Sequence, residues 1–240
     1  MNRTSYIIGF LLFFCGATAF ISSGPSRAST RADFTLDAYS DMESGVRRLR
    51  DGTYEVAGLV RMPGVTAAMF RWWFTDYLET TEHYKMWHPV DHVWMDWEHK
   101  RPSEIVGAHH LVHEYIGGEM NRLRIQFVDP EIILGYDPTD ENTEAICARA
   151  AELDTGMNIA EMCHVARNTP SGMELRSRFW MGVVSDPDAG PVRSFFLSLA
   201  ANNPVTRRLA VDKANALALL RHCTEEMSYL ANLLPGIYPK

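Results

Sequence analysis

From Asn203 to about residue 233 the chain can run as one long helix. Asn203-Pro204 supplies a cap followed by a proline at the first helical position, and Pro235-Gly236 marks the stop. Most of the earlier periodic segments are short and alternate with a period of two, which is the pattern of half-buried strands. Leu123, Ile125 and Phe127 interleave with Arg122, Arg124 and Gln126. Residues 53–60, 92–97, 105–116, 158–167 and 173–184 read as further strands, and residues 65–80 as a helix. Thr169-Pro170-Ser171-Gly172 punctuates a hairpin, Gly117-Gly118 a turn, and Asp186 to Pro191 breaks the chain again. Between residues 131 and 154 the pattern weakens, with a loop at 137–140. Neither a repeat nor a second linker divides the chain. These features predict a single α+β domain over residues 31–240, an antiparallel sheet curling around a long C-terminal helix.

The first thirty residues differ from the rest. After Arg3 comes an apolar stretch, then Ala17-Thr18-Ala19, a small-x-small pattern, and a Ser-rich linker from residue 22. The apolar run is short for a spanning helix and right for a secretory signal. Export to the periplasm or beyond is therefore expected, with an uncleaved N-terminal anchor as the alternative. Cys147 and Cys163 could pair in an oxidising compartment, and Cys223 would then be left as a thiol. A net charge of −7 and scattered basic residues argue against a nucleic-acid partner.

Four groups of residues carry potential chemistry. His222 and Glu226 stand four apart on one face of the C-terminal helix, beside Leu219 and Leu230; an imidazole and a carboxylate on an apolar stripe need a partner. A solvent-exposed ion pair is the simpler reading of the same spacing. In Trp87-His88-Pro89-Val90-Asp91-His92, the proline pushes His88 toward an extended conformation. Strand alternation sets His110, Val112, Glu114 and Ile116 on one face and His109 and His113 on the other, while Glu119 follows the Gly-Gly turn and is expected to be wet. His164 alternates with Met162 and Ala166, consistent with an inward ring or an ordinary buried histidine.

These segments, together with Arg176 to Gly182 and His222 to Glu226, occur in an order and approximate spacing that resembles the 2,4-diacetylphloroglucinol hydrolase and phloretin hydrolase family over residues 53–234. The resemblance implies a helix-grip fold similar to the birch-pollen allergens. It implies a zinc ion held by His88, Glu114, His222 and Glu226, with His92 as the alternative to His88 and Glu119 as the alternative to Glu114. His164 and Asp91 would then serve as pocket residues, His164 as a proton donor and Asp91 facing substrate. The implied reaction is hydrolysis of the carbon–carbon bond between an acyl group and a hydroxylated ring of a small aromatic ketone. Trp72, Trp73, Trp87, Trp94 and Trp180 could line such a pocket or pack the core. Export departs from the cell-interior setting associated with that family. A non-catalytic, exported binder of an apolar or aromatic molecule is the competing reading, and a homo-oligomer is compatible with either.

Overall fold

The computed structural model describes residue 31 and residues 39–186 and 189–239; residues 1–30, on which the export reading rests, lie outside them. Eight antiparallel strands form one sheet: β1 (Gly45–Arg48), β2 (Tyr54–Pro63), β3 (His92–Glu98), β4 (His109–Ile116), β5 (Glu119–Val128), β6 (Thr143–Glu152), β7 (Asn158–Thr169) and β8 (Gly172–Ser185). Their spatial order is β1-β2-β8-β7-β6-β5-β4-β3. Between β2 and β3 lie helix α1 (Ala67–Trp72), a π-helical turn (Trp73–Tyr77) and helix α2 (Thr81–Trp87). Helix α3 (Pro130–Leu134) follows β5, and α4 (Pro191–Ala201), α5 (Pro204–Ala210) and α6 (Lys213–Ile237) close the chain. This is the helix-grip arrangement.

Helix α6 lies across the concave face. Its buried residues Ala216, His222, Cys223, Glu226, Met227, Leu230 and Leu234 form a stripe at helical spacing, and the stripe packs chiefly on β2. Phe70, Trp73, Phe74, Leu78, Tyr84 and Trp87 from the α1–α2 segment fill one end of the same core. A smaller cluster on the convex side gathers Val128, Ile133, Leu134, Val165, Trp180 and Val183. Cys147 and Cys163 face each other across the β6–β7 ladder in this outer cluster and are joined by a disulfide. Trp180 lies there too, under the Arg31 guanidinium at 4.3 Å, so it does not line a pocket on the concave side. Trp94 tilts over His113, and Trp73 is fully buried in the core.

Several elements depart from expectation: the helix read over residues 65–80 is α1 followed by the π-helical turn, and β1, α2, α3 and α4 add to the expected set. Strand β6, Thr-Glu-Ala-Ile-Cys-Ala-Arg-Ala-Ala-Glu, falls where the pattern weakens, because alanine has little strand preference of its own. Pairing with β5 on one side and β7 on the other overrides that propensity. The long helix is broken at Val211, which is extended (φ −124°, ψ 124°). Asn203 does cap a helix, but a seven-residue one; Asp212 then opens α6 through a capping box with Asn215. Arg48 fixes the break by donating to the Val211 carbonyl at 2.7 Å. At the far end Pro235 does not stop the helix but sits in its last turn, where only one residue beyond Gly236 still has to be helical.

A candidate metal centre beside an apolar cavity

Two local signals bring the first histidines together. Thr80 caps α2 by accepting from the His83 N–H, and the helix ends at Trp87 because His88 precedes a proline and turns extended (φ −143°, ψ 92°). The tight turn that follows delivers His92 to the first position of β3, opposite Glu114 in the β3–β4 ladder. Helix α6 then lays His222 and Glu226 across that pair. Gly117 makes the approach possible: at φ +65°, a Cβ there would stand 2.8 Å from the Ala218 Cβ, one turn before His222.

Four donor atoms converge. His92 Nε2 lies 3.7 Å from Glu114 Oε2 and 3.5 Å from Glu226 Oε2; His222 Nε2 lies 3.7 and 4.0 Å from the same two oxygens. All four residues are buried. An ion held tetrahedrally by nitrogen and oxygen at about 2.0–2.2 Å requires donor–donor edges of about 3.3–3.6 Å. The four His–Glu edges of this cage, 3.5–4.0 Å, are close to those values and slightly expanded, and the donor atoms of His92, Glu114 and His222 all lie within 4.8 Å of one another. The outer atoms fit as well. His92 Nδ1 faces the Tyr84 carbonyl at 2.9 Å and His222 Nδ1 faces Asp91 Oδ2 at 3.2 Å. Both partners are acceptors, so each Nδ1 carries the proton and each Nε2 offers its lone pair to the centre. The Tyr84 hydroxyl donates to Glu114, and its ring stacks on His92 at 3.7 Å. His92 Nε2 is buried without a hydrogen-bond partner, a costly state that an ion relieves.

His88 does not join the cage. Its Nδ1 accepts the Asp91 backbone N–H at 3.0 Å, so in the neutral ring the proton sits on Nε2. That Nε2 points at Asp91 and Glu225, 3.6 and 3.7 Å away, and the ring stacks on His222. His88 belongs instead to a second group that could hold an ion, with Asp91 and His222, and its Nε2 is likewise buried without a hydrogen-bond partner. Glu119 is exposed at the start of β5 and lies outside the candidate group that holds Glu114. Asp91 lines an outer cleft of about 740 Å³ with His88 and Glu225, while His222 borders both this cleft and the interior cavity; the Asp91 carboxylate faces His222 Nδ1.

The carboxylates set a negative field at the centre of the cluster. Burial works against a charged His222, yet Glu114, Glu226 and Asp91 outweigh it and raise its pKa to about 10. For Glu114, burial favours the acid form, but His222, His92 and the Tyr84 hydroxyl hold its pKa well below the ordinary carboxylate range. A proton on His222 and a metal ion among the four donors answer the same field.

The cage forms part of the wall of a cavity of about 430 Å³ inside the sheet. Its lining is mainly apolar, from Phe74, Trp87, Val112, Phe127, Met162 and Phe179. Ala150, Ala160 and Gly182 leave the volume that larger residues would fill. Two more histidines reach it. His164 is buried on β7 with Nδ1 2.7 Å from Ser177 Oγ, and burial pushes its pKa down to about 4. At that value the ring is neutral at neutral pH. His110 stacks on Trp97 at 4.5 Å, and burial lowers its pKa to about 3. Strand alternation had placed it beside Glu114 without assigning it a role. Tyr84 was not singled out either; its hydroxyl contact with Glu114 joins α2 to β4, a pairing that no sequence period reveals.

Residues 26–239 match the family described as the DAPG hydrolase PhiG domain. A 2,4-diacetylphloroglucinol hydrolase from a Pseudomonas species is 27% identical over 211 residues, covering 82% of this chain and 70% of that protein. The phloretin hydrolase of Eubacterium ramulus is 26% identical over 212 residues, covering 84% and 73%. Among solved structures, the ginseng major latex-like protein 151 matches 71% of this chain and 97% of its own, at 11% identity and a TM-score of 0.39. The ZhuI aromatase/cyclase of a Streptomyces species matches 75% and 97%, at 16% identity and a TM-score of 0.42.

Proposed function

The chain belongs to the DAPG hydrolase PhiG domain family, and from that membership we propose that it is a zinc-dependent hydrolase of acylated, hydroxylated aromatic ketones. The overall change adds water across the carbon–carbon bond: the acyl carbon takes hydroxyl and leaves as a carboxylic acid, and the ring carbon takes hydrogen. The observation that carries the metal assignment is the cage of His92, Glu114, His222 and Glu226, its protons arranged so that both Nε2 lone pairs point inward. When bound there, zinc supplies a Lewis acid that lowers the pKa of water and polarises a carbonyl oxygen.

The chain's own groups do the rest. Tyr84 and Asp91 fix the geometry of Glu114 and His222 from behind. Phe74, Trp87, Phe127 and Phe179 give flat apolar walls to a ring and exclude bulk water. His164, neutral and backed by a hydroxyl that can donate or accept, presents a ring nitrogen suited to hold a phenolic hydroxyl. A hydrogen bond accepted from that hydroxyl pushes electron density into the ring, so that the carbon bearing the acyl group can take a proton and pass to the keto form. The Cys147–Cys163 disulfide supports an oxidising compartment, in keeping with an exported or N-terminally tethered protein.

The test is direct. Purified protein should contain about one zinc per chain and release acetate from diacetylphloroglucinol or an aryl-propionate from phloretin, with both properties lost to a chelator. A metal-loaded protein that binds these compounds without cleaving them would favour a carrier.

A further inference from the structure

The paired strands β3 and β4 carry ionisable groups at both ends. At one end His92 is opposite Glu114, and the two form half of the cage. At the other end Glu98 is opposite His109, about 20 Å further along β3. His109 is five residues before Glu114, so it stands on the convex face of the sheet, away from the cavity.

Three donors meet there. His109 Nδ1 lies 3.5 Å from Glu98 Oε2, too far for a good hydrogen bond. His99, the residue after β3, is left-handed at φ +58°, a conformation uncommon for a residue with a side chain. Its ring meets the His109 ring edge to face, with centroids 5.1 Å apart. One donor atom from each of Glu98, His99 and His109 lies within 4.8 Å of the other two. Two imidazole nitrogens and a carboxylate oxygen suit zinc and its first-row neighbours, whereas magnesium and calcium take oxygen.

Two buried atoms call for an occupant. Among the described residues His109 Nδ1 has no hydrogen-bond partner, although it is shielded from solvent. Gln126 stands directly across the β4–β5 ladder, and its Oε1 is likewise buried and unpartnered. Opposed residues share a face, with Cβ atoms about 5 Å apart. A metal ion carrying a bound water satisfies both atoms: the ring nitrogen binds the ion and the amide oxygen accepts from the water.

The surrounding charges set the strength of such a site. Burial lowers the His109 pKa; Glu98 pulls the other way, and Arg124 and His99 oppose a proton there. Arg124 opposes a metal ion as well, although its guanidinium also donates to the Gly156 carbonyl. Lys100 is turned onto Trp97 and the Leu78 carbonyl, and Arg101 is paired with Glu104. With one half-exposed carboxylate, against two buried ones in the cage, the ion should be held more weakly than in the cage.

We propose that Glu98, His99 and His109 bind a divalent ion of the zinc type on the convex face, with water in the remaining positions and Gln126 holding one of those waters. The ion ties together the two ends of the β3–β4 connection, residues 99–108. This site stands whether or not the cage holds zinc.

In the test, the full chain is loaded with zinc, dialysed and then titrated with zinc chloride in a calorimeter. One further ion per chain should be taken up. Glu98 and His99 are exposed, so their replacement leaves the core untouched. Glu98→Gln and His99→Asn should each weaken that uptake at least tenfold; asparagine tolerates the left-handed backbone. His113→Ala, on the same face of β4, should leave it unchanged. Zinc should also slow hydrogen exchange at residues 99–108 in the unsubstituted chain and not in His99→Asn. A titration with no further ion, or with equal uptake by His99→Asn and the unsubstituted chain, would overturn the proposal. Failure of the cage reads differently: no zinc would survive dialysis, while the titrated ion would still depend on His99.

Discussion

A histidine that binds a metal through one ring nitrogen keeps its proton on the other, so the atom behind each ring decides which histidines can serve. A carbonyl stands behind His92 and a carboxylate behind His222, but an N–H stands behind His88. His92→Ala should therefore abolish stoichiometric zinc, while His88→Ala and Glu119→Gln keep it, as measured by elemental analysis of the purified variants. The sequence showed that histidines cluster at residues 88–92 and that Glu114 faces inward; it could not show which ring nitrogen meets which backbone group, because the turn at Pro89 sets that. His164 makes a second prediction. The unfolded chain takes up a proton there near pH 6.5, whereas the folded chain resists until about pH 4. Stability is unaffected above about pH 6.5 and falls as the pH drops toward 4, by about 1.4 kcal/mol per unit. Denaturant titrations from pH 7 to 4.5 should show that slope, and His164→Gln should lessen it by one proton's contribution. The same variant should retain zinc and lose most of its turnover.

Elements fix how those residues meet. The hairpins around Gly117-Gly118 and Thr169–Gly172 were legible because turn chemistry is local. Strand β6 was not, since its alanines are chosen for the space they leave and for pairing on both sides. Helix α4 was missed because no residue of it is buried, so its apolar side chains serve no core. Two predictions belong at this scale. Replacing Cys147 and Cys163 together by Ala opens a link across a separation of 16 residues and should cost about 3 kcal/mol, lowering Tm by about 6–12 °C in a thermal melt. Gly117→Ala should push the β4–β5 turn away from α6, widen the gap between Glu114 and His222, and weaken zinc binding at least tenfold. Adding Ala218→Gly should restore part of that affinity despite its own helix cost of about 1 kcal/mol.

Across the whole molecule, the proposed metal ligands come from a sheet edge and a helix that meet only when the fold is complete, so on that assignment ion binding and folding are linked. Zinc in thousandfold excess over its dissociation constant should add about 4 kcal/mol of stability, and a chelator should remove it, seen as a fall in Tm. The architecture itself was legible, because alternating strands followed by one long apolar-striped helix leave few ways to bury both. The chain order of the ligands also has a consequence for biosynthesis. His92 and Glu114 are made early, and more than a hundred residues separate Glu114 from His222. At about 5–20 residues per second, the ribosome needs roughly 5–20 s to supply the second half of the cage. Through that interval the growing chain holds only one histidine and one carboxylate of the four. On the proposed assignment, zinc would be captured in the cage only after α6 has been synthesised, and the cage of a polypeptide cut short before it would carry none.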